Sequence, residues 1–190
     1  MHSCAIICAQ FGQSRKFRRT CLGEMPICLT SVLLYSPFMK KIEILLVDDN
    51  ALVRAAINRL LDGLDDFAVI AEAANIAEAM EALERTMPTV VVTDLSMGVD
   101  NGLDLVRALK ELVPGTLTIV LTVHSSEAIV AEALKCGASA YVLKEEAPEE
   151  LEIAIRAVVR GDIYLSAAVS KKMVKWFSHS PNSVRPVLPS

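Results

Sequence analysis

ILLVDDN, residues 44–50, decides the fold, because an apolar run here ends in two adjacent acidic residues. The unbroken apolarity is typical of a strand buried on both faces, as in a parallel sheet covered by helices. Open α/β sheets bind their ligands at the carboxyl ends of such strands. The stretch therefore predicts a parallel sheet and a site that begins at Asp48 and Asp49.

Four further β-rich runs follow, each separated from the next by apolar residues at helical spacing. This alternation predicts an α/β fold, a doubly wound five-stranded parallel sheet with helices on both faces. Asn75 and Glu78 form a capping-box pattern, and Gly137 suits a left-handed helix end. The predicted strands are 42–47, 67–71, 90–92, 117–121 and 140–143, and the helices about 52–61, 75–85, 103–112, 126–136 and 148–160.

The chain divides into four predicted segments. Residues 1–38 are an N-terminal extension or an over-called translation start, and residues 39–161 form the folded domain. Residues 162–177 are a linker whose second part, from Ala167, has the pattern of an amphipathic helix. Residues 178–190 are rich in Ser, Pro and Asn, which predicts a disordered tail.

Charge and cysteine content limit the function classes. The 190-residue chain has a net charge of -4, and its basic excess lies in residues 1–38, so the folded domain is acidic. An acidic surface disfavours broad nucleic-acid binding. Four of the five cysteines precede residue 30, with spacings that fit no usual zinc site. The single later cysteine predicts a cytoplasmic protein, and the apolar stretch at 25–38 is too short and interrupted to span a membrane.

Polar residues end three more of the predicted strands. Asp94, Thr122 and Lys144 come after the third, fourth and fifth strands, and they join Asp48 and Asp49 at one edge of the sheet. Magnesium binds through one or two carboxylates together with phosphate oxygens. A carboxylate can attack a phosphoryl donor when cations offset the charge on the phosphoryl oxygens. The set therefore predicts a magnesium-dependent phosphoryl site.

Five sequence blocks carry a resemblance to a known family. In this order and spacing they make the segment from residue 39 to about 177 resemble the receiver domain of two-component response regulators, in the style of the NarL/FixJ branch. The resemblance implies a flavodoxin-like, CheY-like receiver fold for residues 39–161. The blocks are ILLVDDN (44–50), VVVTDLSMGVDNG (90–102), IVLTVH (119–124), GASAYVLK (137–144) and AVVRGDIYLS (157–166).

The resemblance also implies roles for the metal-binding residues. Asp94 is implied as the phosphoacceptor and a ligand of Mg²⁺, with Asp49 as the direct metal ligand. Asp48 assists, commonly through water, and the main-chain carbonyl of Ser96 completes the protein's contacts to the ion.

Further implied roles concern the phosphoryl group and the switch. Thr122 binds one phosphoryl oxygen and Lys144 pairs with another, while Tyr141 matches the aromatic residue that moves inward when the switch operates. The side chains of Ser96 and His124 are implied to tune the lifetime of the phosphoryl group.

One residue departs from the family pattern. Gly98 stands where the family usually has proline. We expect a looser loop and altered kinetics of phosphorylation or dephosphorylation, with function retained.

The function implied by the resemblance is a phosphorelay switch. It accepts a phosphoryl group from a sensor histidine kinase or a phosphotransfer protein, and it changes conformation to control a downstream output. It catalyses only its own phosphorylation and dephosphorylation, so it is not an enzyme in the usual sense. We expect a homodimer on phosphorylation, no membrane contact and no direct nucleic-acid binding by this chain.

Alternative functions stay open at this point. NarL-type regulators usually continue into a LuxR-type helix-turn-helix, so the chain is alternatively a truncated DNA-binding transcription regulator without that module. A phosphatase of the aspartyl-phosphate type would want an acidic residue at the position of Ser96. A phosphorylation-independent interaction module is disfavoured by the complete site. For the Trp176-Phe177 pair we favour a docking helix over a contact with nucleic acid or membrane.

Overall fold

The first predicted strand has the bounds that its apolar run indicates. The computed structural model describes residues 41–98 and 100–179. In these residues strands and helices alternate, and a single 3-10 turn at Lys144–Glu146 joins the last long strand to the helix after it. The elements are β1 (Ile42–Val47), α1 (Ala51–Asp62), β2 (Phe67–Ala73), α2 (Ile76–Thr86), β3 (Val90–Thr93), β4 (Ser96–Met97), β5 (Asp100–Asn101), α3 (Gly102–Leu112), β6 (Leu117–Thr122), α4 (Glu127–Cys136), β7 (Ala140–Leu143), α5 (Ala147–Val159), β8 (Tyr164–Leu165) and α6 (Ala167–His179).

The main sheet is parallel throughout, with the order β2-β1-β3-β6-β7-β8. Successive side chains of a strand point to opposite faces, so Ile44 and Leu46 pack with α1 and α5, while Leu45 and Val47 pack with α2 and α3. The remaining core lies between β6, β7 and the helices α3, α4 and α6. Helices on both faces of the sheet confirm the predicted doubly wound fold.

The sheet has one strand more than we predicted. β8 lies in the predicted linker, and its register is fixed by the amide of Ser166, which donates to the carbonyl of Tyr141 at 3.0 Å. The predicted count of five strands is therefore corrected to six. The sequence did not reveal β8, because two residues are too few to show the period-two pattern of a strand.

Helix ends follow the predicted capping signals. Asn75 Oδ1 accepts the amide of Glu78 at 2.9 Å, and Glu78 Oε2 in return accepts the amide of Ala74 at 2.8 Å. Gly137 ends α4 with φ of +116°, and its amide donates to the carbonyls of Ala133 and Leu134. Both signals depend only on local chemistry, which is why the sequence reveals them.

Boundaries differ from the predictions by two residues at β2 and α6, and by at most one residue at either end of the other predicted elements. β2 continues to Ala73, two residues beyond the predicted strand. α6 continues to His179, which places Ser178 and His179 in a helix and not in the predicted tail. The extension at 1–38 and the tail residues 180–190 lie outside the described residues.

α6 docks against the receiver-like domain through one face. Val169 and Met173 are buried beside β7 and α4. The first amides of the helix donate to acidic side chains near α5, with Ala168 N to Glu146 Oε1 at 3.2 Å and Ala167 N to Glu150 Oε1 at 3.4 Å. Negative charge at a helix N-terminus is favourable, so these two carboxylates help to fix where α6 begins.

None of the helices in the described part of the chain combines the length and the apolar character that crossing a membrane requires.

Candidate functional site

Carboxylates and a lysine meet at the carboxyl end of the central strands. Asp48 follows β1, Asp94 follows β3 and Lys144 follows β7, and both carboxylates are only 5% exposed. Lys144 Nζ lies 2.6 Å from Asp48 Oδ2 and 2.7 Å from Asp94 Oδ2. One ammonium group thus pairs with two buried acids.

The charge of Lys144 is maintained by those acids. Burial alone would lower the pKa of the ammonium group, but hydrogen bonds and charge attraction from Asp48 and Asp94 outweigh burial and raise the pKa of Lys144. Lys144 is therefore a fixed cation at neutral pH, placed where negative charge would collect during phosphoryl transfer.

Main-chain amides orient both carboxylates. Asp94 Oδ1 accepts the amide of Leu95 at 2.6 Å, and Asp48 Oδ1 accepts the amide of Asn50 at 2.9 Å. Each acid thus binds the backbone with one oxygen and Lys144 with the other. The oxygens are oriented before any ligand arrives.

The donor set fits a magnesium ion. Between residues 41 and 179, leaving out residue 99, no group of three or more His, Cys, Asp and Glu side chains is placed to hold a metal. Magnesium does not need such a group, since it keeps several waters and takes one or two carboxylates. Asp48 and Asp94 already share one cation, and Asp49, the residue after Asp48 in the chain, is exposed.

The hydroxyl side of the site lies on β6 and the loop after it. Thr122 is fully buried, and its Oγ1 accepts the amide of His124 at a long 3.4 Å. Ser96 Oγ and His124 Nε2 lie 2.7 Å apart, and the histidine tautomer decides which of them donates. The two side chains that we predicted to tune the phosphoryl lifetime are therefore in direct contact.

Tyr141 points into the protein. Its side chain is fully buried, and its hydroxyl donates to the carbonyl of His124 at 2.8 Å. Burial, reinforced by the negative charge of Asp94, raises the pKa of Tyr141, so its hydroxyl stays protonated and can donate. The loop after β6 is also bonded from α6, because Lys172 Nζ donates to Ser125 Oγ and, at 3.4 Å, to the Ser125 carbonyl.

Gly102 is a residue of the site that our reading of the sequence missed. Its amide donates to the carbonyl of Leu95 at 2.9 Å. A Cβ at this position would lie 2.1 Å from the carbonyl oxygen of Asp94, closer than atoms can approach. Only glycine lets α3 begin against the backbone of the candidate phosphoacceptor. The sequence signal for this role was the position of Gly102 at the end of the VVVTDLSMGVDNG block.

Gly98 forms the turn of a small hairpin, in which Ser96 pairs with Asn101 and Met97 with Asp100. Its φ is +61°, a left-handed conformation that proline, with φ near −65°, does not adopt. Met97 and Asp100 on either side of this turn are paired, and the looser loop with altered kinetics stays a prediction. The departure from the family's proline thus coincides with a left-handed backbone, which proline cannot adopt and glycine adopts without steric cost.

Comparison with known proteins assigns the family. The family model described as the response regulator receiver domain matches residues 44–156. The transcriptional regulatory protein DegU of Brevibacillus brevis is 32% identical over 142 residues, which cover 75% of this chain and 60% of that protein. The response regulator UvrY of Escherichia coli K12 is 34% identical over 132 residues, which cover 70% and 61%. The chain thus spans about three fifths of the length of these curated relatives.

Solved structures agree with this assignment. A LuxR-family two-component response regulator from Aurantimonas sp. has a TM-score of 0.71 and 31% identity, with 74% of this chain and all of that chain covered. The isolated receiver domain of RcsB from Salmonella enterica, solved with the phosphomimetic BeF3-, has a TM-score of 0.65 and 27% identity, with 70% and 98% covered.

A parallel sheet that collects acids and a lysine at its carboxyl edge defines an α/β phosphoryl-switch domain. The chain belongs to the response regulator receiver domain family, and its relatives are two-component regulators of the LuxR type.

Proposed function

We propose that this receiver accepts a phosphoryl group on Asp94 in a magnesium-dependent reaction and then changes conformation to control an output. One observation carries the proposal: Lys144 Nζ lies between the buried carboxylates of Asp48 and Asp94, at the carboxyl edge of the parallel sheet. Receivers are switches and not enzymes in general, and we propose that this one catalyses only its own phosphorylation and dephosphorylation.

The residues around Asp94 have separate tasks in this proposal. Asp94 is the nucleophile, and its Oδ1 is held by the amide of Leu95 so that the carboxylate does not rotate freely. Asp48, Asp49, Asp94 and the main-chain carbonyl of Ser96 would hold Mg²⁺. The ion, when bound, offsets negative charge on the phosphoryl oxygens. Lys144 pairs with another of those oxygens.

The change of conformation would begin at the loop after β6. Thr122 would donate its hydroxyl hydrogen to a phosphoryl oxygen, since its Oγ1 acts only as an acceptor in the long contact with the His124 amide. Tyr141 and Lys172 bond the same loop, so a shift of the loop reaches both the core and α6. Such a coupled change is the usual form of a phosphorylation switch.

Partners and domain boundaries are part of the same proposal. We propose that a sensor histidine kinase or a phosphotransfer protein is the donor, that phosphorylation favours a homodimer, and that the protein is cytoplasmic. The receiver domain is proposed to cover residues 39–161, preceded by the extension at 1–38 and followed by the linker and tail. Ser96 and His124 are proposed to set the phosphoryl lifetime through their mutual hydrogen bond.

The test is phosphorylation of the full chain by acetyl phosphate with and without Mg²⁺, followed by intact mass. We expect one added phosphoryl group on the wild type with Mg²⁺ and none on Asp94→Asn. Asp62→Asn, an exposed acid at the end of α1, is the matched control and should react like the wild type. Phosphorylation of Asp94→Asn at the wild-type rate would overturn the proposal.

A second candidate is a DNA-binding regulator of which this chain is a part. It is favoured by the relatives, since one solved structure shows an RcsB–DNA complex and this chain spans about three fifths of the relatives' length. We propose that residues 1–190 alone do not bind DNA. A salt-dependent gel shift by this polypeptide would contradict that. Reading the genomic DNA downstream of the stop codon for a helix-turn-helix tests the second candidate.

A further inference from the structure

Arg54 of α1 contacts the metal-site backbone from outside the proposed set of site residues. Its Nη1 donates to the main-chain carbonyl of Asp48 at 2.6 Å. Its Nε pairs with Glu72 Oε2 of β2 at 3.1 Å, and Asn58 Nδ2 donates to the other oxygen of Glu72 at 2.9 Å. The side chain of Arg54 is only 17% exposed. The guanidinium is thus held by the Asp48 carbonyl at Nη1 and by the Glu72 carboxylate at Nε.

The Asp48 carbonyl belongs to the peptide unit that joins Asp48 to Asp49. Because the peptide unit is planar, holding its oxygen restricts the orientation of the plane. The position of the Asp49 Cα beyond the end of β1 is then restricted as well. The preceding peptide unit is fixed as well, since the amide of Asp48 donates to the carbonyl of Ala73 at 3.1 Å. The planar, multi-donor guanidinium makes both of its contacts at once, which a lysine ammonium on a flexible stem does poorly.

We propose that Arg54, aligned by Glu72, is a positioning residue for the magnesium site. It orients the Asp48-Asp49 peptide through its hydrogen bond to the Asp48 carbonyl. This inference rests on the proposed function, because it assigns Arg54 to the same metal site. Some residues do not bind the metal but hydrogen-bond to the groups that do. Removing such a residue commonly lowers metal affinity by about 10- to 100-fold.

Calorimetric titration of the full chain with MgCl2 tests the inference. We expect Arg54→Met to raise the Kd for Mg²⁺ by about tenfold or more. Arg54→Lys and Glu72→Gln should give intermediate increases, because each keeps part of the arrangement. Arg59→Met, an exposed arginine on the same helix, is the matched control and should leave the Kd unchanged.

Thermal unfolding of each variant separates positioning from general stability. If Arg54→Met lowers the Tm but binds Mg²⁺ within twofold of the wild type, the inference is overturned. If Arg54→Met does not fold, Arg54→Lys and Glu72→Gln decide it, and unchanged Kd values in both would again overturn it. Wild-type protein that binds no Mg²⁺ would instead contradict the proposed function, and the inference with it.

Discussion

At the scale of single residues, the site depends on close backbone contacts as much as on charged groups. Gly102 touches the main chain of Asp94, and the amide of Leu95 holds the Asp94 carboxylate. Both contacts place the candidate nucleophile before any phosphoryl donor binds. Such pre-orientation is where a large part of catalytic advantage arises.

Replacing Gly102 with alanine should disturb the site directly. The new Cβ would overlap the Asp94 carbonyl, so either α3 or the acceptor loop must move. We expect a loss of about 1–3 kcal/mol in the free energy of unfolding, the usual cost of overpacking, and slower phosphorylation by acetyl phosphate. Gly115→Ala is the control, since its Cβ would meet nothing within 4 Å. Equal stability and equal phosphorylation rates in the two variants would contradict this explanation of Gly102.

Tyr164 offers a test by titration. Burial, then the hydrogen bond to Glu150, raises the pKa of Tyr164 from 10.0 to about 12. Because the folded state holds the neutral phenol, this contribution to stability is complete below pH 10 and is lost as pH rises from there toward 12. We expect the ultraviolet difference between wild type and Tyr164→Phe to show a tyrosinate forming near pH 12. A transition near pH 10 would show that Tyr164 is neither buried nor bonded to Glu150 in solution.

At the scale of elements, the sequence predicts the long strands and most helix ends, because continuous apolar runs and capping residues act locally. β1 and β7 have the predicted bounds, and Gly137 ends α4 as expected. β8 and the hairpin of β4 and β5 escaped prediction because two-residue strands carry no periodic signal. β8 in addition depends on its pairing with β7, which local propensity does not reveal.

In the candidate site, too, some residues were predictable from the sequence and others depend on contacts that only the fold creates. Asp48, Asp94 and Lys144 were predictable, because each follows an apolar strand and parallel strands end at one edge. The contact between Ser96 and His124 was not predictable, since it joins β4 to the loop after β6, 28 residues further along the chain. Arg54 escaped notice because an arginine in an amphipathic helix looks like an ordinary surface residue until its fold neighbours are known.

α6 supplies a prediction about packing. Met173 is 6% exposed against β7 and α4, whereas Val174 on the outer face is 66% exposed. A buried methionine truncated to alanine typically costs about 2–5 kcal/mol. We expect Met173→Ala to detach α6 locally, so that amide hydrogen exchange rises across 167–179 while the main sheet stays protected. Val174→Ala should leave exchange unchanged, and faster exchange in the sheet as well would contradict local detachment.

At the scale of the whole molecule, one loop connects the chemistry to the surface. The segment after β6 contacts Ser96 through His124, the core through Tyr141, and α6 through Lys172. A displacement of Thr122 toward a phosphoryl group would act on all three contacts together. This arrangement is consistent with a receiver that reports the state of Asp94 to the helix following its sheet.

The central claim is that Asp94 takes the phosphoryl group, and mapping the modified residue tests it most directly. The wild-type chain would be treated with acetyl phosphate and Mg²⁺, reduced with borohydride to convert the acyl phosphate into an alcohol, and digested for peptide mass spectrometry. We predict the reduced side chain at Asp94 alone, with none in a sample prepared without Mg²⁺. Reduction at Asp48 or Asp49, or a stable phosphate ester on Ser96, would contradict the claim.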